Sequence, residues 1–506
     1  MSTFSRQNIS RRALTAIAGA IFISCCQLAL GETPLTTRKK QQKPVTPFEY
    51  GAAGDGVTND TLSLKKMFAS GAKIFDLLDK EYVVEIAEGM ALATFYKQSG
   101  IQIKGSGRLV DTLVYTTESI TAMFVFSACR DCVVELNYQG MPITDKSNAT
   151  TGIGYRGATF VQIRNGCTNI KVNARLNYLR YGVLSGNYAL FSEGYNRTIK
   201  TNLTTFECGY PIAHYLANDV QANIYSESSH RTAYIAGCIG GFVNANFKNQ
   251  YIAPIQVLIT DAKTGVGRSR GTADMNFIAH DLGSKLFVAN SHCAAVSLSR
   301  ADPGTVFSDL NFDVYVKASD TVASTLGGFR MDSTAKSINH GAGDLPIKYY
   351  KNWDENILLN NIKVSGVVDR SQQTIAEHGS GEIYVYTTEI GTSHATVRSF
   401  TVENFTYMPG SGAKPRGFWF FMPGLIGTAK FINSHFGNET PFRYATNATS
   451  IGLFTNCTLR GSYETASDSP YYSAASFVDS TIASTAHQPR INKTFLNTKI
   501  AGFLSK

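Results

Sequence analysis

The chain has 506 residues, 43% of them hydrophobic and 17% charged, which provides for a large core and excludes disorder as a description of the whole. Only 14 prolines and 2 tryptophans stand against 44 glycines, 30 phenylalanines and 25 tyrosines, a balance that favours many short strands and turns over long helices. Much of the net charge of +9 lies in the first 43 residues, and the nearly balanced remainder has no basic stripe with interleaved aromatics, which argues against a nucleic-acid partner.

Residues 1–31 read as a leader. Ser10-Arg11-Arg12 precedes an apolar run, and Ala29-Leu30-Gly31 resembles a small-residue cleavage site, so a signal peptide, twin-arginine in pattern, is the direct reading. "FIS" before Cys25 also passes for a lipoprotein box, and an uncleaved docking peptide is the alternative. A permanent span is disfavoured, because Gly and Cys dilute a run barely long enough. Residues 32–46 form a basic linker.

The stretch 47–71, "PFEYGAAGDGVTNDTLSLKKMFASG", begins with glycines where the chain must reverse sharply. Asn59 or Asp60 then caps a helix whose Leu64, Met67 and Phe68 recur at helical spacing, and Gly71 stops it. One small apolar face must cover something. Nine cysteines are not a disulfide framework in a chain of this size, and Cys129-x-x-Cys132 lacks a second pair at zinc spacing, so no metal or cofactor is expected. Buried thiols in repeat positions are the reading adopted.

Residues 72–500 form one domain, and from Cys129 to Ile500 it repeats. "FINSHF" from Phe431, "FTNCTL" from Phe454, "FVDSTI" from Phe477 and "FLNTKI" from Phe495 start 23, 23 and 18 residues apart, a solenoid period. The same apolar-x-Asn/Asp-x-x-apolar pattern falls at Cys129, Cys167, Ala217, Phe242, Phe307, Leu359 and Val402. The fold this implies is all-β: a single-stranded right-handed parallel β-helix with a dry core, an Asn/Asp ladder at the turns and a short N-terminal capping helix. Asn404 and Asn456 match N-x-S/T but belong to the ladder, and residues 501–506 are left as a tail.

The segment Phe48 to Phe68 resembles the opening motif "FGAxGDGxxDDTxAIxxA" of the pectate-lyase and polysaccharide-hydrolase β-helix superfamily. It matches at Gly51, Ala52, Gly54, Asp55, Gly56, Asp60 and Thr61, with Asn59 where Asp is usual. The motif marks the fold and carries no catalytic residue. Segments 195–290 resemble the bacteriophage tailspikes that depolymerise bacterial capsules. That resemblance implies a homotrimeric depolymerase on the virion tail, outside the host cell, binding and cleaving an acidic capsular polysaccharide, with the leader docking to other tail proteins. The alternatives are a secreted, monomeric polysaccharide lyase or glycoside hydrolase, and a non-catalytic glycan-binding adhesin.

Hydrolysis of a glycan needs an acid and a carboxylate; elimination needs a cation and a base. The leading cluster is Glu227, His230 and Arg231 in "YSESSHRTAY", after the strand "VQANIY": Glu227 as acid or base, His230 as base, Arg231 as a clamp, and Tyr225 as a sugar contact. A solvated turn in which Glu227 pairs with Arg231 is the bland alternative. Glu207 and Asp261 are the catalytic partners expected on neighbouring coils, and Arg268, Arg270 and Asp274 extend the binding set in the loop after Asp261. Asp313, Tyr315 and Lys317 share one outward face, read as ordinary cross-strand pairing. Trp419 stacks a sugar if it points outward; core packing or a subunit contact is the other reading.

Overall fold

The structure is a computed structural model that describes residues 43–115, 120–142, 157–186 and 196–248, the last with short breaks at 216, 231–232 and 237–238. Downstream it describes 255–258, 278–289, 296–299, 306–317, 329–332, 358–369, 371, 383–386, 396–410, 418–422, 425–437, 442–446, 451–459, 473–482, 491–500 and 503–505. The leader therefore lies outside the described residues, and the body of the protein is the compact unit Pro44–Lys506.

The chain is a right-handed parallel β-helix. In one coil, the strand Asn196–Phe206 ends at a left-handed Glu207 (φ 48°) and Tyr210–Tyr215 follows. Ala217–Glu227 then lands beside the first strand, with Asn196 opposite Ala217 and Phe206 opposite Glu227. Repetition builds a long sheet, with central strands of 10 to 13 residues, and a short sheet of strands 4 to 6 residues long. Among the described strands every pairing is parallel except the last, Thr498–Ile500 with Phe503–Ser505.

Alternation decides what is core. In Ala217–Glu227, Val220, Ala222, Ile224 and Ser226 are buried while Gln221, Asn223 and Tyr225 are exposed, the period of two that a strand with one dry face requires. Phenylalanines stack where coils superpose: Phe454 lies 4.5 Å from Phe431 and 4.8 Å from Phe477, nearly parallel to both. Cys129, Cys132, Cys167, Cys208 and Cys457 are free and buried in the same interior.

The opening motif has a structural cause. Asp60 is the N-cap residue, its carbonyl accepting the Leu64 amide at 3.0 Å, but its side chain does not cap: the buried carboxylate accepts the amides of Ala53 (2.7 Å) and Gly54 (3.0 Å), pinning the glycine turn, while Asn59 Oδ1 takes the Thr61 amide at 3.0 Å. Gly54 is left-handed (φ +62°), and a Cβ there would sit 3.0 Å from the Tyr82 ring. The helix α1 (Thr61–Phe68) buries Leu64, Met67 and Phe68 against Glu81–Val84 of the long sheet and Ala91–Tyr96, the terminal strand of the short one. Phe68 meets Phe75 and Phe124 edge-on at 5.0 and 5.5 Å. Each such buried side chain contributes about 1.5–3 kcal/mol.

The repeat is two ladders. Asp131, Asn169, Asp219 and Asn361 occupy one left-handed corner (φ 53–55°), where Asn169 Nδ2 donates to Asp131 Oδ1 at 2.7 Å. Asn404, Asn433, Asn456, Asp479 and Asn497 occupy a second (φ 47–50°). The change of corner coincides with a register shift: Val364 faces Val402, but Gly366 faces Phe405, so the strand Thr396–Met408 holds one extra residue there. Asn244, the matching residue of the Phe242 repeat, departs from the pattern. It lies on the outward strand face, its Nδ2 donating to Asn223 Oδ1 at 3.2 Å, while by register Gly240 stands opposite Asp219 at the corner, next to Gly241 (φ +136°).

Candidate functional site

Parallel register strings outward residues into columns that run along the rod. One column begins at Asp55, opposite Glu81, which faces Arg108, which faces Asn137. The Arg175 amide donates to Asn137 Oδ1 at 3.1 Å, carrying the column on to Thr204, Tyr225 and Asn246. Beside it runs a row of amides, Asn173, Asn202, Asn223 and Asn244, one per coil. A face of this kind offers donors and acceptors at the coil spacing, about 4.8 Å.

The sequence-predicted residues fall partly on this face. Tyr225 is 41% exposed, and its hydroxyl donates to Glu227 Oε2 at 3.4 Å. Glu227 is half-buried, beside Phe206 on one coil and the backbone of Lys248 on the next. Glu207 is brought close by its amide, which donates to the Glu227 carbonyl at 3.0 Å. His230 is placed differently. Beyond the left-handed Ser228 (φ 54°) it is 1% exposed, its amide donating to the Cys208 carbonyl at 2.9 Å and its ring edge-on to Tyr210 at 5.3 Å. The fold thus turns His230 around a corner and beneath the surface, away from Tyr225.

Arg231, Asp261, Arg268, Arg270 and Asp274 lie outside the described residues. Trp419 sits in the strand Phe418–Met422 of the short sheet, its backbone between Tyr384 and Arg443, and its side chain lies outside the described ones. Asp313 accepts from Ser365 Oγ at 3.2 Å, a cross-coil pairing of the ordinary kind; the side chains of Tyr315 and Lys317 are outside those described.

Sequence reading missed a cleft at the N-terminal end of the same column. The strand Gln102–Asp111 slips register between Lys104 and Arg108, and Gly107 packs so closely that a Cβ would lie 1.9 Å from the Lys80 carbonyl oxygen. The slip opens an outward cavity of about 470 Å³, whose lining includes Asp55, Asp79, Glu81, Arg108, Asn137 and Arg175. Glu81 is ion-paired to Arg108 at 2.8 Å. Asp55 accepts the amides of Val57 (2.9 Å) and Thr58 (2.7 Å) and the Thr58 hydroxyl (2.8 Å), and these bonds hold its carboxyl down at about 2. Glycines interrupting the strand pattern in "IKGSGRLV" are the signal that could have pointed here. Among the described residues no cluster of His, Cys, Asp and Glu is arranged to hold a metal ion.

No family model matches the chain, and no curated protein matches it. Solved structures similar to it include the tailspike protein of E. coli bacteriophage HK620 in complex with a pentasaccharide, at 10% identity and a TM-score of 0.45, covering 91% of this chain and 78% of that one. The catalytic unit of a GH87 α-1,3-glucanase from Streptomyces thermodiastaticus is similar at 10% identity and a TM-score of 0.42, covering 92% and 71%. An exopolygalacturonase from Thermotoga maritima is similar at 10% identity and a TM-score of 0.36, covering 92% and 93%. At this distance none of these similarities reaches to activity.

Proposed function

We propose that this chain is a polysaccharide depolymerase that binds and cleaves an acidic bacterial capsular polysaccharide, working as a homotrimeric phage tailspike outside the host cell. The observation that supports this reading is the unbroken outward column from Asp55 to Asn246, with its flanking amide row. An extended polymer lying along it meets a fresh set of hydrogen-bonding groups at every coil. Glu227 and Glu207 supply the carboxyl pair that glycoside hydrolysis requires, one as acid and one as base or nucleophile. Tyr225 contacts the sugar, and Arg231, Asp261, Arg268, Arg270 and Asp274 complete the site. Residues 1–31 and 32–46 are the docking leader and linker, and three parallel rods related by a threefold axis form the trimer.

The test is incubation of the purified protein with purified acidic capsular polysaccharides, following reducing ends together with the ultraviolet absorbance of an unsaturated product. New reducing ends without that absorbance mean hydrolysis by the carboxylates; with it, elimination. A capsule that is bound and left intact makes the protein an adhesin, and no binding to any capsule overturns the reading.

A further inference from the structure

We infer that the cleft over the first coils is a second saccharide subsite, an anchor distinct from the Glu227 region, for an uncharged polyhydroxylated unit of the polymer. The inference rests on the reading of this face as glycan-binding. Its size, about 470 Å³, suits a small ligand. Its walls carry three carboxylates, Asp55, Asp79 and Glu81, and three cations, Lys80, Arg108 and Arg175. Balanced charge gives an anionic sugar no net attraction. Vicinal hydroxyls both donate and accept, which matches planar guanidinium and carboxylate groups set side by side.

The groups divide into a fixed frame and free contacts. Asn137 Nδ2 donates to the carbonyls of Ser106 (3.1 Å) and Gly107 (3.3 Å) while its Oδ1 accepts the Arg175 amide, so the floor is tied across two coils. Glu81 and Arg108 hold each other, and Asp55 is held by its own turn. Lys80, Arg175 and Asp79 have exposed side chains with no partner among the described residues, and these are the groups that take the ligand. With Asp55 locked in a turn and Glu81 in an ion pair, Asp79 is the one free carboxyl of the lining, and glycoside hydrolysis needs two, so the cleft binds and does not cut.

Register sets its distance from Tyr225. From Arg175 the column takes two coil steps, through Thr204 to Tyr225, or about 10 Å at the usual strand spacing, and from Arg108 it takes four, about 19 Å. One long chain can fill both places, and filling the first raises the local concentration of polymer at the second.

The experiment prints purified bacterial polysaccharides, neutral and uronic, and their short fragments on an array, and measures binding of the full chain, Arg175→Ala, Asp79→Asn and, as a control on the exposed side of α1, Lys66→Ala, each checked for an unchanged melting temperature. Both cleft variants are expected to weaken binding to neutral-unit polymers about tenfold, the loss of one charge-assisted contact, with Lys66→Ala like the parent. Cleft variants that bind every polymer as the parent does overturn the subsite, as does a loss confined to uronic polymers. A parent that binds nothing on the array overturns the glycan reading itself, a result distinct from either.

Discussion

The backbone amide of Glu207 donates to the carbonyl of Glu227 at 3.0 Å, setting two acidic residues on consecutive coils at one edge of the long sheet. If they share the chemistry, Glu227→Gln lowers turnover of a cleaved capsule by about 10²–10⁴-fold while binding is retained, and Glu207→Gln does the same. Reducing-end kinetics beside direct binding checks this. Unchanged turnover in both variants removes the pair from the mechanism.

The second ladder makes a sharper stability prediction. Asn456 is left-handed (φ 50°), and its Nδ2 donates to Asn433 Oδ1 at 3.0 Å. Asn456→Ala is expected to cost about 1–3 kcal/mol, from strain at positive φ together with the lost bond. Asn456→Gly removes the strain and recovers part of the loss. Urea unfolding of the three proteins measures the order; Gly below Ala would contradict it.

Interior stacking predicts a larger effect. Phe454→Ala, between Phe431 and Phe477, is expected to cost about 3–5 kcal/mol, and Phe454→Leu less than half as much. The midpoint of chemical unfolding reads this directly.

His214 gives the rod an acid sensitivity. It is fully buried in the short sheet beside Ser185 and Ile235, and burial alone lowers its pKa from 6.5 to about 3. Between those values the unfolded chain binds the proton and the folded one does not. Stability should therefore fall as pH falls from 6.5 toward 3, by about 1.4 kcal/mol per unit. Asp111, raised by burial against its bonds to Tyr115 and Tyr138, acts oppositely, its share being lost as pH rises. Asp55, lowered to about 2, loses its share only as pH falls below the usual carboxylate range. Measured between pH 4.5 and 6.5, His214→Leu should flatten the slope; an unchanged slope removes His214 as its source.

What the sequence disclosed follows from what repeats. Alternation over Val220 to Ser226 and the recurrent Asn433, Asn456 and Asn497 are local patterns, and each carries its own evidence for coils. The division into two ladders was hidden, since one inserted residue opposite Ser365 leaves the motif intact and changes only where it sits. His230 and Tyr225 are five residues apart, yet a single left-handed residue at Ser228 sends one inward. The cleft escaped because Asp55, Arg108 and Arg175 become neighbours only through register.

The final pairing, Thr498–Ile500 against Phe503–Ser505, runs the chain backwards across the last rung. A strand laid beside Phe503–Ser505 in the coil direction would pair with it antiparallel, so the parallel register of the coils is not continued at this edge. At that strand the parallel ladder of the coils stops, and its edge is occupied by the protein's own backbone instead of being left as a bare row of unpaired amides and carbonyls.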